Sequence, residues 1–457
     1  MKKMIHFAIY SAVAFIVLFV FLFGPVSIAH LFPLVMLAVS GGLLLIMWKY
    51  DAVSGVVKKF LLILAGFGSA GIIIVTFLFF AFCIINIPPE KTFNGDIQLT
   101  APDTVQSSAY KTLVTLTDNK WTIPEFSSDE FLALDAYNYK DAGIAKAIAS
   151  AKDFAPAVLD FLEKNAVSVP TEERDRVDYP IPDYRAIDLV VRLELASIKQ
   201  LLDTGKRQEA IARYQRLWRV AARMTEGQNS LFHVLYTMQT ADRLIDFMEQ
   251  PNMFTVMPIK GFRQYVDTVY AGVDRSMQDS FKLEYVVISA VFNDMKTNAP
   301  TLQFPNSAIA NMPGHIVIKW PFYDKNAVKR MLFEEINAIN VLCVKPYHEI
   351  AQELEKALTD FNTKINNRQV KNPTGKMLLA LAAPEYSRFV MRKDAVKGRI
   401  EVLTTVADMA VWSITADKLP IDPLTGKSYI VREENGMKQI VSEMKDRDKE
   451  RIVFALK

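Results

Sequence analysis

Imidazole and thiol chemistry has few residues to draw on. Of five histidines, His6 and His30 belong to a strongly apolar start, which leaves His233, His315 and His348 for any nucleophilic or metal site in the remainder. His348-Glu349-Ile350-Ala351-Gln352 opens like a zinc-peptidase helix, in which two histidines one turn apart share the metal. Gln352 stands where the second ligand is needed, so this stretch predicts a surface helix. Asp446, Asp448 and Glu450 alternate as in a calcium loop, but Arg447 and Lys449 interleave them and no glycine turn follows, which predicts a solvated β-turn. Cys83 and Cys343 are too few for a disulfide framework or a cysteine-rich zinc site, and Cys343, between Leu342 and Val344, reads as an inert buried thiol. Phosphate-loop and nucleophile-elbow motifs are missing from the sequence, and neither a cofactor nor a metal is expected.

Two other features have the residue types for binding. Arg213, Arg216, Arg219 and Arg223 recur at three- and four-residue steps, a stripe opposite the apolar face of a helix that carries Ile211, Tyr214, Trp218 and Ala221. Such a stripe suits an anionic ligand or partner, or pairing with acids such as Asp188 and Glu194. Asp242 falls inside the apolar stripe Leu231, Leu235, Met238, Ala241, Ile245 and Met248, so a buried polar site is expected there, with an arginine or amide partner for the carboxylate. His233 falls on the polar side of the same helix and is expected at the surface.

The elements that must position these residues follow a membrane region. In residues 1–86 five lysines (Lys2, Lys3, Lys49, Lys58, Lys59) and one acid, Asp51, are the only charges. Three apolar runs, 6–23, 31–48 and 60–86, are each long enough to span a ~30 Å hydrocarbon core. Gly66-Phe67-Gly68-Ser69-Ala70-Gly71 matches a dinucleotide-binding fingerprint by letter, but it sits inside one continuous apolar run and reads as close helix packing. The lysines place the amino terminus and the 49–59 loop in the cytoplasm and residues 87–457 on the other side. Those remaining residues are within one charge of neutral, which argues against a nucleic-acid partner. Asn372-Pro373-Thr374 is blocked as a glycosylation acceptor by its proline, which favours a bacterial periplasm.

A linker is expected over 87–102, then an α-helical domain over 103–300, a second helical subregion over 301–418 and a β-meander tail over 419–457. Within the first, Tyr184, Ile187, Val191, Leu195, Ile198 and Leu202 mark a helix that stops at Gly205, and the hairpin region runs 183–249. Leu201-Leu202-Asp203-Thr204-Gly205-Lys206-Arg207-Gln208-Glu209-Ala210 resembles the turn and second helix of a tetratricopeptide repeat, as a single unit with no second copy. In the tail, Asn435-Gly436 between two β-rich stretches predicts a hairpin. The run Leu419-Pro420-Ile421-Asp422-Pro423-Leu424-Thr425-Gly426-Lys427 before it resembles the ends of bacterial membrane proteins with helical exported domains, and it has a fainter likeness to pseudopilin tails. The first resemblance implies a location in the bacterial cytoplasmic membrane and brings no catalytic residue with it. The pseudopilin likeness stops at the tail, because the first span lacks the Gly-Phe-x-x-x-Glu start of those proteins.

The fold class expected is mainly α, with N-terminal transmembrane helices, a tetratricopeptide-like helical hairpin in an exported domain, and a small C-terminal antiparallel β-meander. The function expected is a non-catalytic envelope scaffold or protein-interaction module whose partners are the lipid bilayer and another envelope protein. The alternative is a membrane-anchored periplasmic hydrolase that uses acidic residues.

Overall fold

A computed structural model describes Gly55, Phe93, Gly95, Ile97 and residues 99–118, 121–174, 179–250, 253–257, 261–298, 324–366, 386–409, 414–434, 437–446 and 449–456. The chain divides into two units, Met1–Phe93 with Met295–Val328 and Asn366–Leu379, and Asn94–Asp294 with Lys329–Ile365 and Ala380–Lys457. Nearly all described residues belong to the second. The three apolar runs and the Gly66–Gly71 stretch lie outside the described residues, among which no helix is long and apolar enough to cross a membrane.

The second unit is mainly helical and ends in a small antiparallel sheet. Helix α1 (Thr104–Thr117) starts where Asp103 accepts from Val105 N, and α2 (Ser128–Asp135) where Ser127 and Glu130 close a reciprocal capping box. Two further helices follow, α3 (Ala142–Ser150) and α4 (Phe154–Lys164). A short α5 (Thr171–Arg174) leads to the hairpin of α6 (Tyr184–Asp203) and α7 (Arg207–Met224). These are followed by α8 (Leu231–Met248), α9 (Met253–Val256) and the 36-residue α10 (Arg263–Asn298). Helices α11 (Lys325–Leu342), α12 (Tyr347–Asn366) and α13 (Tyr386–Ala407) complete the series.

The core lies around α7 and α8. Trp218 is fully buried and stacks on Phe262 at 6.0 Å, while Tyr214 meets Phe262 edge-on at 5.2 Å and donates its hydroxyl to Leu244 O at 2.7 Å. α8 packs against α6, α7 and α13, so its buried face is wider than the one stripe visible in the sequence.

Strands β1 (Ile430–Glu434), β2 (Met437–Asp446) and β3 (Lys449–Leu456) form an antiparallel meander in the order β1-β2-β3. Glu434 and Met437 are partners across the first turn, whose Asn435 and Gly436 lie outside the described residues. Asp446 and Lys449 are partners across the second turn, the region expected as a solvated turn, whose Arg447 and Asp448 also lie outside them. The tail lies close to α13, because a Cβ at Gly398 would come within 2.5 Å of the Tyr429 hydroxyl and 3.0 Å of the Pro423 ring.

Candidate functional site

The densest chemistry in the helical unit is on α13, and it is ionic. Arg399 Nη1 contacts Asp242 at 3.0 Å, and Arg399 Nη2 contacts Asp246 at 2.6 Å and Glu249 at 2.8 Å, all three acids coming from α8 or its C-cap. Arg392 pairs with the other oxygen of Asp242, a residue only 7% exposed. Burial alone lowers the proton affinity of the Arg399 guanidinium, but the three carboxylates outweigh it and the net shift is upward. The buried polar position expected at Asp242 is thus one member of a cluster joining α8 to α13.

Earlier on α13, Lys393 is fully buried. Its ammonium lies 3.0 Å from Asp274 and 2.9 Å from Asp394, and it donates to the Cys343 carbonyl at 2.5 Å. Asp274 also receives Lys397 at 2.5 Å, and that ammonium stands 4.3 Å over the Tyr270 ring, whose hydroxyl donates to Glu401. Burial raises Asp394, with Lys393 opposing the shift. Burial likewise pushes the Cys343 thiol up to about 12, which makes it a poor nucleophile at neutral pH. Two carboxylates and two ammonium groups balance here, so the cluster fastens α10 to α13.

The four arginines of the α7 stripe have acidic partners too, while Arg207, the first residue of that helix, donates to the Thr255 and Val256 carbonyls. Arg213 grips Glu194 of α6 with two bonds, at 2.7 and 2.5 Å. Arg216 meets Asp160 and Glu163 of α4, Arg219 shares Glu163 at 2.6 Å, and Arg223 meets Glu226 at 2.7 Å. Asp188, the other acid suggested by the sequence, pairs with Arg192 instead.

His233 is fully buried, contrary to the surface position expected from its helical wheel. The polar arc of α8 that holds it faces α6, where the sequence alone suggested solvent. Its Nε2 is 2.9 Å from Met224 O and its Nδ1 3.1 Å from the Tyr184 hydroxyl. A carbonyl only accepts, so Nε2 carries the proton and Nδ1 accepts from Tyr184. Burial lowers its pKa to about 4, so the ring is neutral. His348, by contrast, is exposed and bonds Pro423 O through Nδ1 at 3.0 Å, while His315 lies outside the described residues.

The tail motif has a structural role that the sequence pattern did not disclose. Asp422, 1% exposed, accepts from Leu424 N at 2.9 Å and from the hydroxyls of Thr425 at 3.0 Å and Ser442 at 2.5 Å. Gly426 turns the chain at φ +69°, a conformation that favours glycine, and its N–H returns to Asp422 O at 2.8 Å. The aspartate, threonine and glycine of this run therefore build one closed turn against β2. Among the described residues, no group of three histidine, cysteine, aspartate or glutamate side chains is placed to hold a metal ion. Comparison of the chain with models of protein families, with curated proteins and with solved structures finds no match.

Proposed function

We propose that this chain is a membrane-anchored, non-catalytic scaffold of the bacterial envelope. Residues 1–86 cross the cytoplasmic membrane as three helices, and the helical unit with its β-tail lies outside the cytoplasm and engages another envelope protein. The observation that carries the scaffold reading is how the ionisable groups are used. Arg399 closes on three acids, Lys393 on two, and Arg213, Arg216 and Arg219 of α7 on acids of α6 and α4, so these charges join helix to helix. Large apolar side chains are meanwhile left at the surface, with Leu132 of α2 68% and its neighbour Phe131 47% exposed. The membrane part rests on the run lengths and lysine distribution of residues 1–86.

Two measurements test this reading. A photo-crosslinking amino acid at position 132 of the full chain, in living cells, is expected to trap one discrete envelope protein, and Leu132→Asp should abolish functional complementation of a deletion. An unaltered phenotype for Leu132→Asp, with loss of function on Asp394→Asn at normal protein levels, would favour the hydrolase alternative. A periplasm-dependent reporter fused after Lys457 is expected to be active, and activity of a cytoplasmic reporter alone would overturn the topology.

A further inference from the structure

Several segments of the helical unit meet where the chain arrives from the expected spans. The Gly95 carbonyl accepts from the Tyr285 hydroxyl at 3.2 Å, and the adjacent Glu284 carboxyl accepts from Leu231 N at 3.5 Å, at the first residue of α8. Tyr285 packs edge-on against Phe333 of α11, and Phe281 against Tyr386, the first residue of α13. The start of α1 belongs to the same neighbourhood, because Ser168 Oγ bonds the Gln106 side chain and also receives Gln228 N, two residues before the α8 cap. The tail sheet lies toward the other end of α8 and α13, where Phe254 meets Phe454 and Arg399 donates to Val453 O.

The arrival end also exposes large apolar side chains. Val105 in the first turn of α1 is 70% exposed, Phe232 in the first turn of α8 58%, and Ile181, which follows the Pro180 carbonyl bonded by Tyr110, 45%. Half-buried Tyr236, one turn beyond Phe232, stacks on Tyr184 and lies within electrostatic reach of Asp188, exposed Arg185 and Asp183. Apolar side chains mixed with a tyrosine and an arginine are what a headgroup boundary accommodates. Reach decides the occupant. Nine residues lead from Asn86, the last of the third apolar run, to Gly95, and at ~3.4 Å each they extend at most ~30 Å, so this end stays near the bilayer.

We propose that the arrival end rests on the lipid bilayer, with Val105, Ile181 and Phe232 entering the boundary between headgroups and acyl chains. This inference relies on residues 1–86 spanning the membrane. It is tested with the full chain carrying Cys83→Ser and Cys343→Ala, and a single Phe232→Cys or Ile421→Cys labelled with an environment-sensitive dye. Ile421, 53% exposed in the tail, is the distant control. In phosphatidylcholine–phosphatidylglycerol vesicles the label at 232 should be blue-shifted and quenched by nitroxide lipids at least about three-fold more than the label at 421. Equal quenching at both positions, with the protein resistant to alkaline extraction, overturns the docking and leaves the anchor standing. A blue-shifted label at 232 that lipid nitroxides do not quench means a protein covers this end, and also overturns it. Release by alkaline carbonate overturns the anchor and the docking together. Val105→Cys gives the same readout from a second helix if the first variant folds poorly.

Discussion

At the scale of single residues, burial decides how each ionisable group behaves. His233 is neutral because burial removes water from its charged form and the bond to Met224 O offsets this only in part, and its bonds to Met224 O and Tyr184 suit one neutral tautomer. Its pKa of about 4 in the folded chain lies below the ordinary value of 6.5. As pH falls from 6.5 toward 4 the unfolded chain takes up a proton that the folded chain refuses, so stability drops through that window, by up to ~3 kcal/mol. In His233→Gln this part of the pH dependence should vanish, as measured by denaturant unfolding between about pH 4 and 7. An unchanged slope would mean that the ring is protonated in the folded state. The sequence makes Asp242 conspicuous because a carboxylate on an apolar stripe needs a partner. It cannot identify that partner, because Arg392 and Arg399 lie 150 and 157 positions away. The burial of His233 escapes the sequence for the same physical reason, since a wheel records which arc is polar but not what packs against it.

At the scale of elements, α13 explains why charge reading is harder than stripe reading. Its buried residues include Lys393, Asp394, Val396, Gly398 and Ile400, positions that cover most of the helix circumference and give no single apolar stripe. Helices with one buried face, such as α4 with Phe154, Ala155, Val158, Leu159 and Leu162, announce themselves by their spacing, whereas α13 is legible only with α8 and α10 beside it. Its two ionic clusters differ in kind from the α7 arginines, which remain partly exposed. Arg399→Met should therefore leave three carboxylates without their shared cation and cost ~3–5 kcal/mol. Arg216→Gln, whose partners Asp160 and Glu163 are 57% and 23% exposed and of which Glu163 keeps Arg219, should cost under ~1 kcal/mol. Urea unfolding of both variants, followed by helical circular dichroism, measures the contrast. Equal costs would show that the α7 arginines, too, hold the helices together.

At the scale of the whole molecule, the mainly helical class and the terminal hairpin are legible because both follow from local periodicity and turn residues. How distant segments are joined is not, and Arg174 is the clearest instance. It lies in the charged run Glu172-Glu173-Arg174-Asp175-Arg176, yet it is 4% exposed. Its Nε donates to Val169 O at 3.1 Å, its Nη1 to Thr100 O at 3.2 Å and its Nη2 to Gln228 Oε1 at 2.8 Å. One guanidinium thus ties the segment arriving from residue 95, the approach to α5 and the turn between α7 and α8. Burial lowers its proton affinity and Asp279 partly restores it; the guanidinium stays charged, so its buried N–H groups need the three acceptors. Arg174→Lys keeps the charge but loses the planar fork, and a single ammonium cannot reproduce three bonds in those directions. That variant should lose ~2–3 kcal/mol. Its amide exchange should rise over 99–106, 167–170 and 226–230 while β2 stays protected, because the tail shares none of these bonds. Exchange that rises equally in β2 would mean that the clamp holds the whole unit rather than the end at which the chain arrives.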